Sequence, residues 1–120
     1  MKTYKPTPAP RHTPWGQADE LHEIAPGWWS VSTPSHGGFI LSAERVADIP
    51  QHHVARSFNG QGALGIFEED CDWCIPVLAF RDEFIAHCRR TFKDDATGYA
   101  HMSAAEDILN NWILQKEVTA

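Results

Sequence analysis

Cysteine, long apolar runs and export signals are all scarce or missing in this sequence. The three cysteines are an odd number, and no basic start is followed by an apolar signal segment. Both features argue against a disulfide-stabilised secreted domain. The longest apolar run, 74–80, is far shorter than the roughly 20 residues that cross a bilayer. We therefore expect an intracellular protein located in the cytoplasm, without a membrane partner.

Positive charge is also scarce beyond the start of the chain. Residues 1–18 carry three basic residues and no acidic one, whereas the rest carries 16 acids against seven bases, a net charge of −9. Phosphate backbones require Lys and Arg, so we expect no direct nucleic-acid binding. An acidic domain of this kind is suited to binding a basic protein surface, because complementary potentials speed the encounter of the two proteins. The same charge is also ordinary for a soluble domain.

The cysteines do not complete a metal site. Cys71 and Cys74 have the C-x-x-C spacing of zinc and dithiol sites, but structural zinc usually needs a second pair at similar spacing. Only His87-Cys88 follows, and adjacent residues of a helix point in different directions. We expect buried free thiols, with no metal and no cofactor.

Proline content divides the chain in two. Residues 1–14 hold four of the eight prolines and few apolar residues, which predicts a flexible Pro-rich arm. The remaining 15–120 is long enough for a single domain with one hydrophobic core.

Local patterns in that domain predict an α+β fold. Pro26-Gly27 fits the centre of a type II turn between two hydrophobic stretches, which predicts a hairpin. Further short strands are expected over 38–41 and 65–67. The resulting small antiparallel sheet occupies the N-terminal half and is covered by C-terminal helices.

The expected helices follow from caps and periodicity. Ser42 predicts the cap of a helix over 43–48, and a second helix is expected over 82–92. The side chains that share one stripe of that second helix are Phe84, Ile85, Cys88 and Phe92.

A loop over 93–99 is expected to follow. Ser103 and Glu106 then predict a capping box. The helix after this box is expected to bury Ile108, Leu109, Trp112 and Ile113.

The first unusual motif is a histidine followed by two glycines, Thr33-Pro34-Ser35-His36-Gly37-Gly38. Paired glycines allow positive φ and the close approach of another group. His36 is a candidate general base, metal ligand or binding residue. The alternative is a loop histidine bonded to a backbone carbonyl. Ser35 is a binding candidate. It is not expected to be a nucleophile activated by His36, because adjacent residues rarely form a nucleophile–base pair and no elbow motif surrounds it.

The second motif, Glu68-Glu69-Asp70-Cys71-Asp72-Trp73, places four acids within five residues. These carboxylates repel each other unless helix amides, a cation or a basic partner offsets them. They have the oxygens that Mg²⁺ or Ca²⁺ binds, but not the spacing of a calcium loop. Solvated acids at a helix N-terminus are the competing interpretation. The binding candidates in this motif are Glu68, Glu69, Asp70, Asp72 and Trp73.

Four motifs in this order resemble an uncharacterised domain carried by phages, plasmids and integrated elements of proteobacteria. They are Trp15-Gly16-x-Ala18-Asp19, Ile24-Ala25-Pro26-Gly27, Thr33 to Ser42 and Glu68 to Trp73. The similarity spans roughly residues 14–85, and no established activity accompanies it. The resemblance implies a mobile-element context, in which small acidic proteins often counter restriction or CRISPR systems.

Two functions follow as hypotheses. The first is a non-catalytic anti-defence inhibitor, of anti-CRISPR or anti-restriction type, which binds the basic nucleic-acid-binding surface of a host defence protein. The second is a small enzyme in which His36 works with an acid from Glu69, Asp70 or Asp72, with His36 and Asp70 as the leading catalytic candidates. A concave pocket with His36 within hydrogen-bond reach of an acid would favour chemistry.

Overall fold

The computed structural model describes residues 2–116 and is built around a four-stranded antiparallel sheet. Its strands, in spatial order, are β3 (Glu20–Ala25), β4 (Trp28–Ser32), β5 (Gly37–Leu41) and β6 (Ile66–Glu68). A separate two-stranded ribbon pairs β1 (His12–Thr13) with β2 (Gly16–Gln17). The predicted hairpin is confirmed: Pro26-Gly27 joins β3 to β4, and Gly27 has φ 79°, a value that favours glycine.

Short helices connect the sheet strands and longer ones follow them, so the predicted α+β fold is confirmed. The helices are α1 (Ala43–Val46), α2 (Gln51–Ala55), a 3₁₀ segment (Phe58–Leu64), α3 (Cys74–Ala79), α4 (Arg81–Phe92) and α5 (Ala96–Ile108), which continues as a π-helical turn (Leu109–Ile113). Ser42 caps α1 as predicted, accepting a hydrogen bond from the Arg45 amide at 3.3 Å. Within residues 2–116, no helix combines the length and apolarity needed to cross a membrane.

One face of the sheet, which we call the helix-covered face, carries the main core. Trp28 is fully buried, and its ring centroid lies 5.4 Å from that of Phe39 and 6.1 Å from that of Phe84 on α4. Phe39 is paired with the fully buried Phe67 on β6, so both rings point to this face. The core therefore lies between the sheet and the helices that follow it.

The opposite face, which we call the arm-covered face, is closed by the N-terminal segment. The indole of Trp29 donates to the Thr7 carbonyl at 3.2 Å. A Cβ at Gly38 would lie 3.0 Å from the Trp15 ring. Val31, which points to this side of the sheet, is buried. Thr7 and Trp15 thus contact this face of the sheet.

The segment predicted to be a mobile arm also contacts the body before residue 7. Asp48 accepts hydrogen bonds from Lys2 Nζ at 2.8 Å and from the Tyr4 hydroxyl at 2.6 Å. The Tyr4 ring lies 4.1 Å from the guanidinium carbon of Arg45. These contacts place Lys2 and Tyr4 against the body of the domain, and the flexibility of the arm stays a prediction. The low apolar content of this segment does not predict such contacts, because they involve one tyrosine and a few polar groups.

The Tyr4 ring contacts Arg45, which is a charged residue of the protein interior. It is fully buried, yet its guanidinium makes a two-pronged pair with Glu83 at 2.9 and 2.7 Å and donates from Nε to the Pro26 carbonyl at 2.7 Å. A buried charge requires partners of this kind. Glu83 is therefore used inside the fold and is not a free surface acid.

The predicted start of the last helix is wrong. Only 93–95 form the expected loop, because α5 begins at Ala96, and Ser103 lies inside this helix. Asp94 accepts the Thr97 amide at 2.8 Å and supplies the N-terminal hydrogen bond that the box was expected to provide. Gly98 lies within α5, where a Cβ would lie 2.9 Å from the Ile85 side chain of α4. The glycine therefore allows α4 and α5 to pack closely at this point.

Two predicted core positions of these helices are also wrong. Phe92 is 51% exposed and Trp112 is 66% exposed, whereas Leu109 and Ile113 are buried as predicted. Trp112 lies in the π-helical turn, whose wider spacing changes the angular positions of side chains relative to an α-helix.

Candidate functional site

Strand pairing brings the two unusual motifs together. Gly38 of β5 is the register partner of Glu68 of β6, and the Glu69 amide donates to the Gly37 carbonyl at 3.0 Å. The two segments were 30 residues apart in the sequence and gave no local sign of pairing. The strand pairing therefore places the two motifs side by side.

Thr33 shapes the first segment. Its hydroxyl donates to the His36 carbonyl at 2.6 Å and accepts from the His36 amide at 3.1 Å. This hydrogen-bonded turn directs Ser35 and His36 towards solvent, and both are exposed. Within the part of the chain that the structure describes, no carboxylate lies within 4.0 Å of His36 in an ion pair. The histidine is therefore presented to solvent.

Glu68 shapes the second segment. Its carboxylate accepts the amides of Asp70 at 3.3 Å and Cys71 at 3.2 Å, and its carbonyl accepts the Trp73 amide at 3.1 Å. The helix after this turn starts only at Cys74. Pro76 thus falls in the first turn of α3, where a missing amide costs no helical hydrogen bond. The acids belong to a turn and not to a helix N-terminus.

This turn sends its carboxylates in three directions. Glu68 and Asp70 line a cavity on the arm-covered side, and Glu69 lines a cleft on the helix-covered side. Asp72 points into the protein and is only 1% exposed. The four acids therefore do not form one cluster, which explains how they avoid strong mutual repulsion without a cation.

Asp72 supports the neighbouring loop. Its Oδ2 accepts the Phe58 amide at 2.7 Å, while Oδ1 has no hydrogen-bond partner among residues 2–116. Burial raises the pKa of this carboxyl, partly offset by the Phe58 amide. The side chain offers almost no surface to a ligand. Asp72 is therefore removed from the candidate binding surface, and its role is to anchor the 3₁₀ segment that begins at Phe58.

The thiols are also structural. Cys71 is half-buried, and Cys74 and Cys88 are buried, all without disulfides. Burial raises the pKa of Cys74 to about 12 and raises the pKa values of the other two thiols. Thiolates are disfavoured there, which argues against nucleophilic or redox reactivity of the C-x-x-C pair. Among residues 2–116, no group of three His, Cys, Asp or Glu side chains has a metal-binding arrangement.

The cavity on the arm-covered side, which we call the acidic cavity, has a volume of about 400 Å³. Its walls are Pro14, Trp15, His36, Phe58, Gln61, Glu68 and Asp70. Trp15 reaches it because Thr13 Oγ1 accepts the Trp15 amide at 3.2 Å and because Gly38 has no side chain in the way. The local sequence did not indicate that Trp15 or Phe58 would line a cavity. The glycine at position 38 was the available signal, since it marks a close approach.

The cleft on the helix-covered side, which we call the aromatic cleft, has a volume of about 390 Å³ and includes two predicted binding residues, Glu69 and Trp73. Gly37 lies beside it, and a Cβ there would lie 3.4 Å from the Glu69 carboxylate, an ordinary contact distance. The two glycines are needed because of nearby backbone. A Cβ at Gly37 would collide with the Val31 carbonyl oxygen, and a Cβ at Gly38 would collide with the Phe67 carbonyl oxygen and lie 3.0 Å from the Trp15 ring.

Comparison with known proteins identifies the family but no activity. Residues 8–117 match the family described as Domain of unknown function (DUF7007), and the chain belongs to this family. No curated protein matches the sequence, and no solved structure matches it. The matched region includes residues 8–14, the same residues that lead into the cover of the sheet, so the family's domain begins within the segment predicted as an arm.

Proposed function

We propose that this member of the family is a non-catalytic protein that binds a basic surface of another protein through the acidic cavity. The observation that carries the proposal is the composition of that cavity: two carboxylates and two aromatic rings form its walls, and no Lys or Arg is among its lining residues. This combination matches one arginine or lysine side chain of a partner.

The carboxylates are available to such a side chain. Asp70 is exposed, and no ion pair among residues 2–116 includes Glu68 or Asp70. The hydrogen bonds from the turn amides hold the Glu68 carboxylate in a fixed position. A preorganised acceptor loses less entropy when it pairs with a guanidinium.

The aromatic rings add a second kind of contact. Phe58 is 54% exposed and Trp15 is half-buried, so both have surface to offer. Guanidinium groups stack on such rings, and the attraction is largest where water is excluded. Tryptophan and arginine are also the residues that dominate binding energy at protein interfaces.

Two acids of the second half are not available to a broad negative face. Between residues 68 and 83 there are six acids, but Asp72 is buried and Glu83 is paired with Arg45. Mimicry of a nucleic-acid backbone requires many free carboxylates on one surface. Recognition through one anchoring side chain, aided by the acidic body, is the mode that the geometry favours.

The partner we propose is a nucleic-acid-binding defence protein of the host, inhibited in the manner of anti-CRISPR or anti-restriction proteins. Support comes from the resemblance to mobile-element domains and from the acidic charge of residues 19–120. The enzymatic alternative has less support. Of its three candidate acids, only Asp70 lines a cavity with His36.

The test is a charge reversal inside the cavity. Tagged wild type and Asp70→Lys are used to capture proteins from host lysate, and both are expressed in cells carrying a CRISPR or restriction system that is challenged with phage. We expect wild type to capture a basic nucleic-acid-binding protein and to restore phage plating. Asp70→Lys should lose both properties.

The matched control is Asp107→Lys, which makes the same charge change on an exposed position of α5. This variant should behave as wild type. Equal capture by Asp70→Lys and wild type, or equal loss in both lysine variants, would contradict binding through the acidic cavity.

A further inference from the structure

The aromatic cleft is a second, independent cavity, and it lies between the sheet and the last two helices. Its side chains come from the helix-covered face, the turn after β6, α4 and α5. Its lining includes Ser30, Ser32, Phe39, Glu69, Trp73, Phe84, His87, Cys88, Phe92 and His101. Its volume of about 390 Å³ falls within the range of small-molecule sites, roughly 300–1,000 Å³.

Glu69 is the one formally charged group of this wall. Its amide is tied to the Gly37 carbonyl, and its carboxylate lies over Gly37. No ion pair or hydrogen bond among residues 2–116 includes this carboxylate. Glu69 is an exposed residue of the cleft lining, and its carboxylate has acceptor capacity that residues 2–116 leave unused.

Of the two histidines in the wall, His87 does not offset that charge. Burial lowers the pKa of His87, and the nearby charges of Arg90 and His22 lower it further, so this imidazole is neutral at pH 7. His101 donates from Nδ1 to the Thr97 carbonyl at 2.8 Å. No Lys or Arg lines the cleft. Its electrostatic preference is therefore for a cation and against an anion.

The rest of the cleft favours a flat apolar group. The ring centroid of His101 lies 6.1 Å from that of Trp73 and 5.8 Å from that of Phe84, in edge-to-face arrangements. Phe39 contributes a further ring from the sheet. Aromatic rings bind well among such edges and faces.

We infer that the aromatic cleft binds a small aromatic amine, with its ring among Phe39, Trp73 and Phe84 and its ammonium group at the Glu69 carboxylate. Free serine hydroxyls of Ser30 and Ser32 supply further acceptors for the ammonium hydrogens. This site lies on the opposite face of the sheet from the acidic cavity, so it does not depend on the proposed function.

The test compares two probes of equal shape and opposite charge. Phenethylamine and 3-phenylpropionate are titrated into ¹⁵N-labelled full-length protein, and amide and indole N–H shifts are followed by NMR. We expect phenethylamine to shift Ser30, Phe39 and the Trp73 indole. It should bind at least about fivefold more tightly than 3-phenylpropionate, a difference of about 1 kcal/mol at 25 °C.

Glu69→Gln should remove this preference, so that both probes bind within about twofold of each other. Glu23→Gln is the matched control, because Glu23 is an exposed strand residue whose register partner Trp29 lies on the arm-covered face. It should keep the wild-type preference. Equal binding of the two probes to wild type, shifts confined to residues outside the cleft, or no shift at millimolar probe would each overturn the inference.

Discussion

The two faces of the central sheet are closed by different means. The helix-covered face packs Trp28 and Phe67, both fully buried, against residues of α3 and α4. The arm-covered face is closed by an extended segment that contributes Trp15 and a hydrogen bond from Trp29 to Thr7. One cover consists of regular helices with a large apolar contact, and the other consists of isolated contacts along an irregular chain.

We therefore expect the two covers to have different roles, with the helices stabilising the fold and the N-terminal segment forming part of a binding cavity. Helix packing removes much apolar surface from water and supplies most of the stabilising free energy. An irregular cover supplies less, but it leaves cavities between its few anchoring side chains. The acidic cavity lies at such a place, where Trp15 and Phe58 meet the turn of Glu68 and Asp70. The predictions below test this division of roles.

The largest effect is expected from the adjacent tryptophans of β4, which point to opposite faces. Trp28→Ala should lower the free energy of unfolding by about 3–5 kcal/mol, because it empties a closely packed core site. Trp29→Ala should cost less than about half as much, since its side chain is only half-buried. Urea unfolding followed by circular dichroism measures both values. Equal losses would show that the two covers stabilise the sheet to the same extent.

Deletion of residues 2–7 should have the next largest effect. It removes the Tyr4 ring from Arg45 and the Thr7 carbonyl from Trp29, and we expect a loss of about 2 kcal/mol in the free energy of unfolding. Lys2→Ala, which removes a surface ion pair only, is the control and should change little. An unchanged unfolding free energy in the deletion variant would support the mobile arm predicted from composition.

The N-terminus of α5 tests how the helical cover is built. Asp94→Ala removes the acceptor of the Thr97 amide and should lower the melting temperature by roughly 3–5 °C. Ser103→Ala should leave it nearly unchanged, because Ser103 is an exposed residue inside the helix. The reverse order of effects, measured by thermal unfolding, would place the helix start at Ser103.

The smallest effect concerns pH and the buried Asp72. Burial raises the pKa of this carboxyl in the folded protein, so its favourable contribution is complete below the unfolded pKa near 3.9 and is lost as pH rises through the folded pKa. Asp72→Asn keeps an oxygen for the Phe58 amide but carries no charge. Its stability relative to wild type should therefore be greater at about pH 7 than at about pH 4.

Asp94→Asn provides a control of opposite sign. The Thr97 amide lowers the pKa of Asp94 in the folded protein, so the contribution of its charge is present above the unfolded pKa and is lost as pH falls. Asp94→Asn should lose more stability at about pH 7 than at about pH 4. Parallel pH profiles for the two variants would contradict the assignment of Asp72 as a buried, pKa-raised group.

Local sequence signals were sufficient where a few neighbouring residues control the backbone. Pro26-Gly27 set the β3–β4 turn, and Ser42 set the start of α1, because each acts on residues within three positions. The same reasoning failed at Gly98 and Ser103. There Gly98 lies within α5 and close to Ile85 of α4, a contact between separate helices that local signals do not indicate.

The candidate site divides in the same way. The chain by itself determined that the His-Gly-Gly and acidic motifs are unusual, since clustered charge and paired glycines are visible in the order of residues. Only the tertiary structure decided where each side chain points. The turn held by Glu68 sends Asp70 to the acidic cavity, Glu69 to the aromatic cleft and Asp72 into the core. The direction of a side chain depends on strand register and on which atoms from distant segments occupy the space beside its Cα. Neither is a property of the local sequence.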